Sequence, residues 1–117
     1  MNPREPIFKL LSRSEWMAAE VAGRFAGSAV DARDGFIHFS TGAQVRETAA
    51  RHFAQETKLV LVAVDPAVLG ESLRWEPSRG GALFPHLYGE LDLDAVLYAE
   101  DVPRDPEGTH LFPDHLR

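Results

Sequence analysis

The uninterrupted apolar run Leu59–Val64 constrains the fold of this chain more than any other segment. Its residues, Leu-Val-Leu-Val-Ala-Val, include no polar side chain, and Asp65 and Pro66 end the run. Short apolar runs bounded by turn-forming residues are typical of a strand that is covered on both faces. The chain is therefore predicted to build a β-sheet around this strand.

Further strands and two main helices are predicted from the hydrophobic pattern. The strands are expected at residues 7–11, 36–40, 73–76 and 95–99, and the helices at residues 14–25 and 41–55. A turn is expected at 31–35, one helical turn at 66–70 and a long irregular loop at 78–89. Because strands outnumber helices, the sequence predicts an α+β fold with a mixed or antiparallel sheet.

Capping patterns mark the start of both helices. Ser12 and Glu15 have capping-box spacing before the first helix, and Thr41 and Gln44 have the same spacing before the second. Apolar residues recur along both helices at the spacing of a buried face. The residues expected in the core are Trp16, Ala19, Val21 and Ala22 in the first helix, and Val45, Ala49 and Phe53 in the second.

Length and composition limit the class of protein. A chain of 117 residues is expected to form one domain, with a core at about 7–103 and a loosely held C-terminal extension at 104–117. A net charge of −6 disfavours binding to bulk nucleic acid or to an anionic membrane. The lack of cysteine excludes disulfides and thiolate chemistry. Since there is no long apolar run and no secretory signal pattern, a cytoplasmic location is expected.

Two segments place a histidine among apolar residues. His38 lies in Gly35–Thr41, which reads GFIHFST, and His86 lies in Phe84–Gly89, which reads FPHLYG. Imidazole is the side chain whose charge changes near physiological pH, so it suits proton transfer and ligand binding. We predict that the two imidazoles border one pocket and are its catalytic residues.

Strand periodicity gives His38 its predicted neighbours. His38 shares one face of the strand with Phe36 and Ser40, and the two intervening residues face the other way. The helix that follows is expected to offer the backbone N–H groups of Gly42 and Ala43 to an anion such as a phosphate. The alternative is a half-buried histidine that bonds a backbone carbonyl.

The loop predicted before His86 contains a cation and several glycines. Arg79–Gly81 places a guanidinium on a pliable backbone, which suits the binding of a phosphate or carboxylate. The alternative is a loop whose apolar side chains plug the core, namely Phe84, Leu87 and Tyr88. The sequence does not choose among three possible acids, Glu76, Glu90 and Glu100.

A metal site is a further alternative for the histidines. His38 and His86 could share a metal with a carboxylate, although the chain has neither a His-Glu-x-x-His pattern nor a cysteine ligand. His52 is expected to face solvent, and no role is predicted for His110 or His115. The prediction is therefore that no metal is bound.

The most distinctive segments resemble one protein family. Gly35–Thr41 with Gln44, Leu73–Glu76 (LRWE) and Phe84–Gly89 are similar to the bacterial domain-of-unknown-function family 952. The resemblance covers residues 7 to about 103. That family has no established activity, so the resemblance implies a fold more than a reaction.

The order of elements also resembles the RNA 2′-phosphotransferases of the ADP-ribosyltransferase superfamily. That resemblance implies a split, mostly antiparallel sheet with two main helices, which grips NAD. It places Lys9 at the first superfamily motif, and His38 with Ser40 at the second. The third motif, a glutamate, has no secure counterpart, and His86 and Tyr88 fall near it. Taken together with the residue patterns above, the expected ligand contacts are Lys9, Ser40, Thr41, Arg79 and Tyr88.

Three functional hypotheses follow from these observations. The first is an ADP-ribosyltransferase-like domain that binds NAD or a related phosphorylated nucleotide and transfers an ADP-ribosyl group or a 2′-phosphate. The second is a non-catalytic module on the same fold that binds a ligand or another protein. The third is a metal-dependent enzyme. The predicted partner is a small nucleotide-like molecule, and the sequence does not choose an oligomeric state.

Overall fold

The apolar run Leu59–Val64 forms a strand, as predicted. The computed structural model describes residues 5–116, apart from the side chain of Arg79. The strands are β1 (Ile7–Ser12), β2 (Arg24–Phe25), β3 (Ile37–His38), β4 (Ser40–Thr41), β5 (Leu59–Val64), β6 (Leu73–Pro77), β7 (Leu83–Leu87), β8 (Leu91–Asp92) and β9 (Val96–Val102). The α-helices are α1 (Arg13–Ala22), α2 (Ala29–Asp34), α3 (Val45–His52) and α4 (Pro66–Leu69).

β5 is an inner strand of a four-stranded antiparallel sheet whose order is β4-β1-β5-β9. All of its residues are buried. Alternate side chains enter two separate core clusters, with Val60, Val62 and Val64 in one and Leu59, Leu61 and Ala63 in the other. The prediction of a strand covered on both faces is therefore confirmed, and so is the α+β class.

A second antiparallel sheet, with the order β3-β7-β6, carries His86 in its middle strand. The prediction of an irregular loop at 78–89 is therefore wrong at residues 83–87. Pro85 favoured a loop because proline cannot donate a ladder hydrogen bond. In the sheet the Pro85 carbonyl still accepts a bond of 3.0 Å from the N–H of Phe39.

The strand predicted at 36–40 is divided between the two sheets. β3 pairs with β7 in the three-stranded sheet, whereas β4 pairs with β1 in the four-stranded sheet. Phe39 lies between β3 and β4 and is buried. Five consecutive residues thus connect the sheets and place His38 in one and Ser40 in the other.

Residues 31–35 end a helix instead of forming an isolated turn, so that prediction is wrong. Ser28 and Asp31 form a reciprocal capping box at the start of α2. The sequence does not predict this helix because Asp31 occupies the capping-box position where glutamate is usual. Gly35, with φ of 86°, ends the helix in the left-handed conformation that glycine adopts most easily.

The two longer helices are shorter than predicted. The Ser12 capping box is present before α1, but Gly23 ends that helix at Ala22. Ala19 is buried and Trp16 packs against the core, whereas Ala22 is exposed and Val21 is 91% exposed, so those two expectations are wrong.

The second long helix, α3, begins four residues later than the capping pattern predicts. The Gln44 side chain accepts a bond of 3.0 Å from the Thr41 N–H, which is one half of the predicted box. The predicted buried stripe is confirmed, since Val45 and Ala49 are buried and Phe53 packs against the same cluster.

The C-terminal segment packs against the body of the protein, so the expectation of a loosely held extension is wrong for residues 104–116. Leu116 is 5% exposed and joins a core cluster, and its carbonyl accepts a bond of 2.9 Å from Arg46. His110 donates a bond of 2.8 Å to the carbonyl of Glu56. Within the described range, no helix is both long and apolar enough to cross a membrane.

Candidate functional site

A cleft of about 570 Å³ brings the two predicted histidines together. Its walls come from both sheets and from α2 and α3, and its polar lining includes Lys9, Asp31, His38, Ser40, Thr48 and His86. His38 and His86 lie directly opposite each other on β3 and β7, with ring centroids 5.6 Å apart. The predicted juxtaposition of the imidazoles at one pocket is therefore observed.

Asp31 is the buried centre of the polar network. Its side chain is 2% exposed, and its oxygens accept hydrogen bonds from Lys9 Nζ at 3.0 Å and from the backbone N–H groups of Ser28 and His38. Burial alone would favour the neutral acid. The hydrogen bond with His38 and the charge of Lys9 outweigh it and hold the pKa of Asp31 far below its ordinary value of 3.8.

Lys9 forms the cationic end of this network. Its ammonium group lies 2.9 Å from Asp31 Oδ2, and the residue is 6% exposed. Burial lowers the pKa of Lys9 below its ordinary value of 10.5, and the neighbouring carboxylate opposes that change. Lys9 therefore belongs to a buried ion pair whose partners depend on each other.

Both ring nitrogens of His38 contact carboxylates. Nδ1 lies 2.6 Å from Asp31 Oδ1, and Nε2 lies 2.9 Å from Asp34 Oδ2. The hydrogen bond from Arg33 and, after it, the bond from His38 lower the pKa of Asp34, so both acids are ionised near neutral pH. Ionised carboxylates only accept hydrogen bonds. Each ring nitrogen of His38 therefore lies within hydrogen-bond distance of an acceptor, Nδ1 at the buried Asp31 and Nε2 at the more exposed Asp34.

This geometry corrects the predicted surroundings of His38. Both ring nitrogens contact the carboxylates of α2, and the helix that follows begins at Val45, beyond Gly42 and Ala43. The ring does not bond a backbone carbonyl, which was the alternative. The expectation failed because the helix at 29–34 was not recognised, so its two acids were not expected beside the ring.

His86 has its own carboxylate partner. Glu76 Oε1 accepts a bond of 2.8 Å from His86 Nδ1 and another of 2.8 Å from the Tyr88 hydroxyl. These two bonds, the one from His86 first, lower the pKa of Glu76, and Glu76 in turn raises the pKa of Tyr88. Of the three possible acids, Glu76 is the one that contacts a histidine of the cleft, whereas Glu90 pairs with Arg24 and Glu100 with His115.

Comparison with known proteins identifies the family. Residues 10–99 match the family described as "Protein of unknown function (DUF952)". The chain belongs to this family. The predicted resemblance to family 952 is thereby confirmed, and no curated protein matches the chain.

Three solved structures that resemble this DUF952 chain are of protein CC0527 from Caulobacter crescentus. Its crystal structure is 53% identical, covers 95% of this chain and 97% of that chain, and has a TM-score of 0.90. A crystal structure of its double mutant is 51% identical with the same coverage and TM-score. Its solution NMR structure is 54% identical, covers 95% and 96% of the two chains, and has a TM-score of 0.83.

The other predicted site residues of the DUF952 chain divide into two groups. Ser40 is buried in the cleft wall, where its hydroxyl lies 2.8 Å from that of Thr48. Thr41 and Tyr88 are outside the set of described residues that line the cleft. The side chain of Arg79 is outside the described part of the structure. His52 is exposed, as expected, and lines the cleft.

Sequence reasoning missed the acids that hold His38 in place. The Asp34-Gly35 dipeptide predicts a turn, so the sequence pattern places Asp31 and Asp34 in that turn and not in a helix beside His38. The spacing of Ser28 and Asp31 was the available signal for a helix there. Among residues 5–116, the His, Asp and Glu side chains form no group of three that could hold a metal ion.

The lowered pKa of Asp31 predicts how stability changes in acid. In the unfolded chain an aspartate titrates at about pH 3.9, and in the folded chain Asp31 titrates lower. Between these values the unfolded chain binds more protons, so the stabilisation is complete above about pH 5 and is lost as the pH falls through the folded value. Urea unfolding of the natural chain and Asp31→Asn should give a stability difference that narrows below about pH 4.

The matched control for this titration is Asp114→Asn, because Asp114 is exposed. Its stability curve should run parallel to that of the natural chain over the whole pH range. A difference between the natural chain and Asp31→Asn that stayed constant in acid would contradict the lowered pKa of Asp31.

Proposed function

We propose that the cleft binds NAD or a related phosphorylated nucleotide and that ADP-ribosyl or 2′-phosphate transfer is its reaction. The observation that carries the proposal is His38, held between two carboxylates on the wall of a cleft that also contains His86. A cleft of about 570 Å³ falls within the range of small-molecule sites. The family has no described activity, so the proposal depends on this geometry and on the resemblance to the 2′-phosphotransferases.

His38 suits an anionic ligand, since both nitrogens of a protonated imidazole donate hydrogen bonds. Nε2 lies 2.9 Å from Asp34, whose side chain is 32% exposed, while Nδ1 is held by the buried Asp31. A phosphate oxygen of the ligand takes the place of Asp34 on Nε2, and the Asp31 bond keeps the ring oriented. Arg33, which also lines the cleft and bonds Asp34, becomes available to the same phosphate.

Once displaced from His38, the carboxylate of Asp34 is available to stabilise positive charge on the ribose. Transfer from NAD breaks the bond between ribose and nicotinamide through a state with positive charge on the sugar ring, and a fixed carboxylate stabilises that charge. The superfamily glutamate has no secure counterpart in this sequence. Asp34 supplies a carboxylate that lines the same cleft.

Binding is tested by thermal unfolding of the full chain with NAD, ADP-ribose and 2′-phosphorylated RNA. A ligand that binds only the folded chain stabilises it by about 2.7 kcal/mol at 100 times its Kd. We expect NAD to raise the melting temperature of the natural chain and of His115→Gln, but not of His38→Gln. His115 is the matched control because it is exposed and bonds Glu100 away from the cleft. No shift with any of the three ligands would refute the proposal.

Asp34→Asn distinguishes the two roles proposed for that residue. Removing a carboxylate that competes for His38 Nε2 should tighten NAD binding by about threefold to tenfold. The same change should slow nicotinamide release, because it removes the carboxylate that faces the sugar. Weaker binding by Asp34→Asn would mean that ligand phosphate does not displace Asp34.

A non-catalytic module is the second candidate, and one observation favours it. Both ring nitrogens of His38 already have partners, and the described part of the chain has no buried side-chain polar atom without one. A structural network of this kind needs no substrate. NAD binding without nicotinamide release over hours would favour the module.

A further inference from the structure

We infer that His86 is the base of the site, that Glu76 positions it, and that the acceptor is a hydroxyl group. The inference deepens the proposed transfer reaction and rests on it. Its starting point is the difference between the two histidines. His38 bonds a carboxylate through each ring nitrogen, whereas Glu76 bonds His86 through Nδ1.

Strand register creates the surface on which these groups meet. His86 on β7 lies opposite His38 on β3 and opposite Arg74 on β6, so the three side chains share one face of the sheet. Residues two positions away project from that same face, and they include Glu76 and Tyr88. The other face packs into the core through Ile37, Leu73, Trp75 and Leu87.

Glu76 determines which nitrogen of His86 carries the proton. Its carboxylate is ionised, so it can only accept, and the 2.8 Å contact requires a proton on Nδ1. In a neutral ring the remaining nitrogen, Nε2, is then a lone-pair acceptor. The Tyr88 hydroxyl donates to the same Oε1 and, with the Arg74 guanidinium 4.8 Å above its ring, holds Glu76 in position.

His86 is enclosed by an aromatic ring and by groups of both charges. His86 is 4% exposed, and Phe36 stacks on its ring with centroids 4.0 Å apart. The groups that face it are His38 from β3, Glu76 and Arg74 from β6, and Tyr88, which directly follows β7. The ring of His86 lies 5.6 Å from that of His38, so a charge on one imidazole disfavours a charge on the other.

A neutral base in this position sets the chemistry of the acceptor. The acceptor hydroxyl gives its proton to His86 Nε2, and its oxygen forms the new bond to ribose C1′. The bond between C1′ and nicotinamide breaks, and its electron pair stays on the departing ring nitrogen. Removing a base of this kind slows such reactions by about 10²–10⁴-fold. Water or an alcohol, such as a ribose or sugar hydroxyl, fits this requirement.

The test measures ring protonation by two-bond ¹H–¹⁵N correlation spectra of the ¹⁵N-labelled full chain without ligand, near pH 7. Signals are assigned from their loss in His38→Gln and His86→Gln. We expect two protonated nitrogens in His38, and in His86 a protonated Nδ1 with an unprotonated Nε2. A proton on Nε2 of His86 would overturn the inference.

Glu76→Gln tests whether Glu76 positions His86, and Glu90→Gln is the matched control. Glu90 is exposed and pairs with Arg24 at 3.5 Å. Glu76→Gln should move the His86 ring signals and lower nicotinamide release about tenfold or more, with NAD affinity changed less than about threefold. Glu76→Asp should restore part of the rate, and Glu90→Gln should change neither measurement.

These outcomes separate the inference from the proposed function. If the ring signals are as expected but NAD does not bind, the proposed function fails and the tautomer assignment stands. If NAD binds and nicotinamide is released but Glu76→Gln leaves the His86 signals and the rate unchanged, the inference fails alone.

Discussion

Replacing Asp31 with alanine is expected to lower the free energy of unfolding by about 3–5 kcal/mol. The substitution leaves Lys9, which is 6% exposed, as a buried cation without its partner. It also removes the acceptor for the backbone N–H groups of Ser28 and His38. Domains of this size are stable by about 5–15 kcal/mol, so a large part of the total would be lost. Urea unfolding followed by circular dichroism measures the change.

Two further variants identify the cause of that loss. The double variant Lys9→Met with Asp31→Ala removes the unpaired cation and should be more stable than Asp31→Ala alone by at least about 1 kcal/mol. Asp34→Ala removes the more exposed acid beside His38 and should have a much smaller effect. If Asp31→Ala and Asp34→Ala cost the same, Asp31 is not the centre of the network.

Replacing Leu116 with alanine is expected to destabilise the chain by about 2–4 kcal/mol. Leu116 is 5% exposed and packs in the cluster that contains Val45 and Val102. Truncation leaves a cavity beneath the C-terminal segment, so the loss exceeds that for an exposed residue. The same urea titration measures it.

Leu111→Ala is the matched control for the C-terminal segment. Leu111 is 49% exposed, and surface truncations usually change stability by less than about 0.5 kcal/mol. Equal effects of the two substitutions would mean that residues 104–116 are not part of the core. That result would support the prediction, made from the prolines of this segment, that it is a loosely held extension.

The fold was predictable where a single physical rule determined each element. The apolar run at β5 required burial on both faces, and the Ser12 capping box located the start of α1. The errors arose where two rules conflicted. Pro85 argued against a strand, but pairing on both sides of β7 outweighed one missing donor. The C-terminal segment was misjudged because its contacts lie far away in sequence, as between His110 and Glu56.

The candidate site was predictable in its histidines and not in its acids. His38 and His86 stood out because imidazole is uncommon in apolar segments, and strand pairing then placed them opposite each other. Asp31 and Asp34 resembled surface turn residues, and only the tertiary position of α2 brings them to His38. Local patterns identify which side chains are unusual, whereas their partners depend on how distant elements pack.

The shared segment at 37–41 determines how the pocket can open. Consecutive residues span both sheets, and the Phe39 bond to Pro85 joins them where His38 and Ser40 enter the cleft. Because a strand rises only about 3.4 Å per residue, the two sheets are held close together at this side of the cleft. We therefore expect the cleft to widen at its helical side, where Asp31 connects α2 to Lys9 and His38. A ligand that weakened the bonds of Asp31 would enter the cleft more easily, but it would also disturb the network that orients the His38 ring.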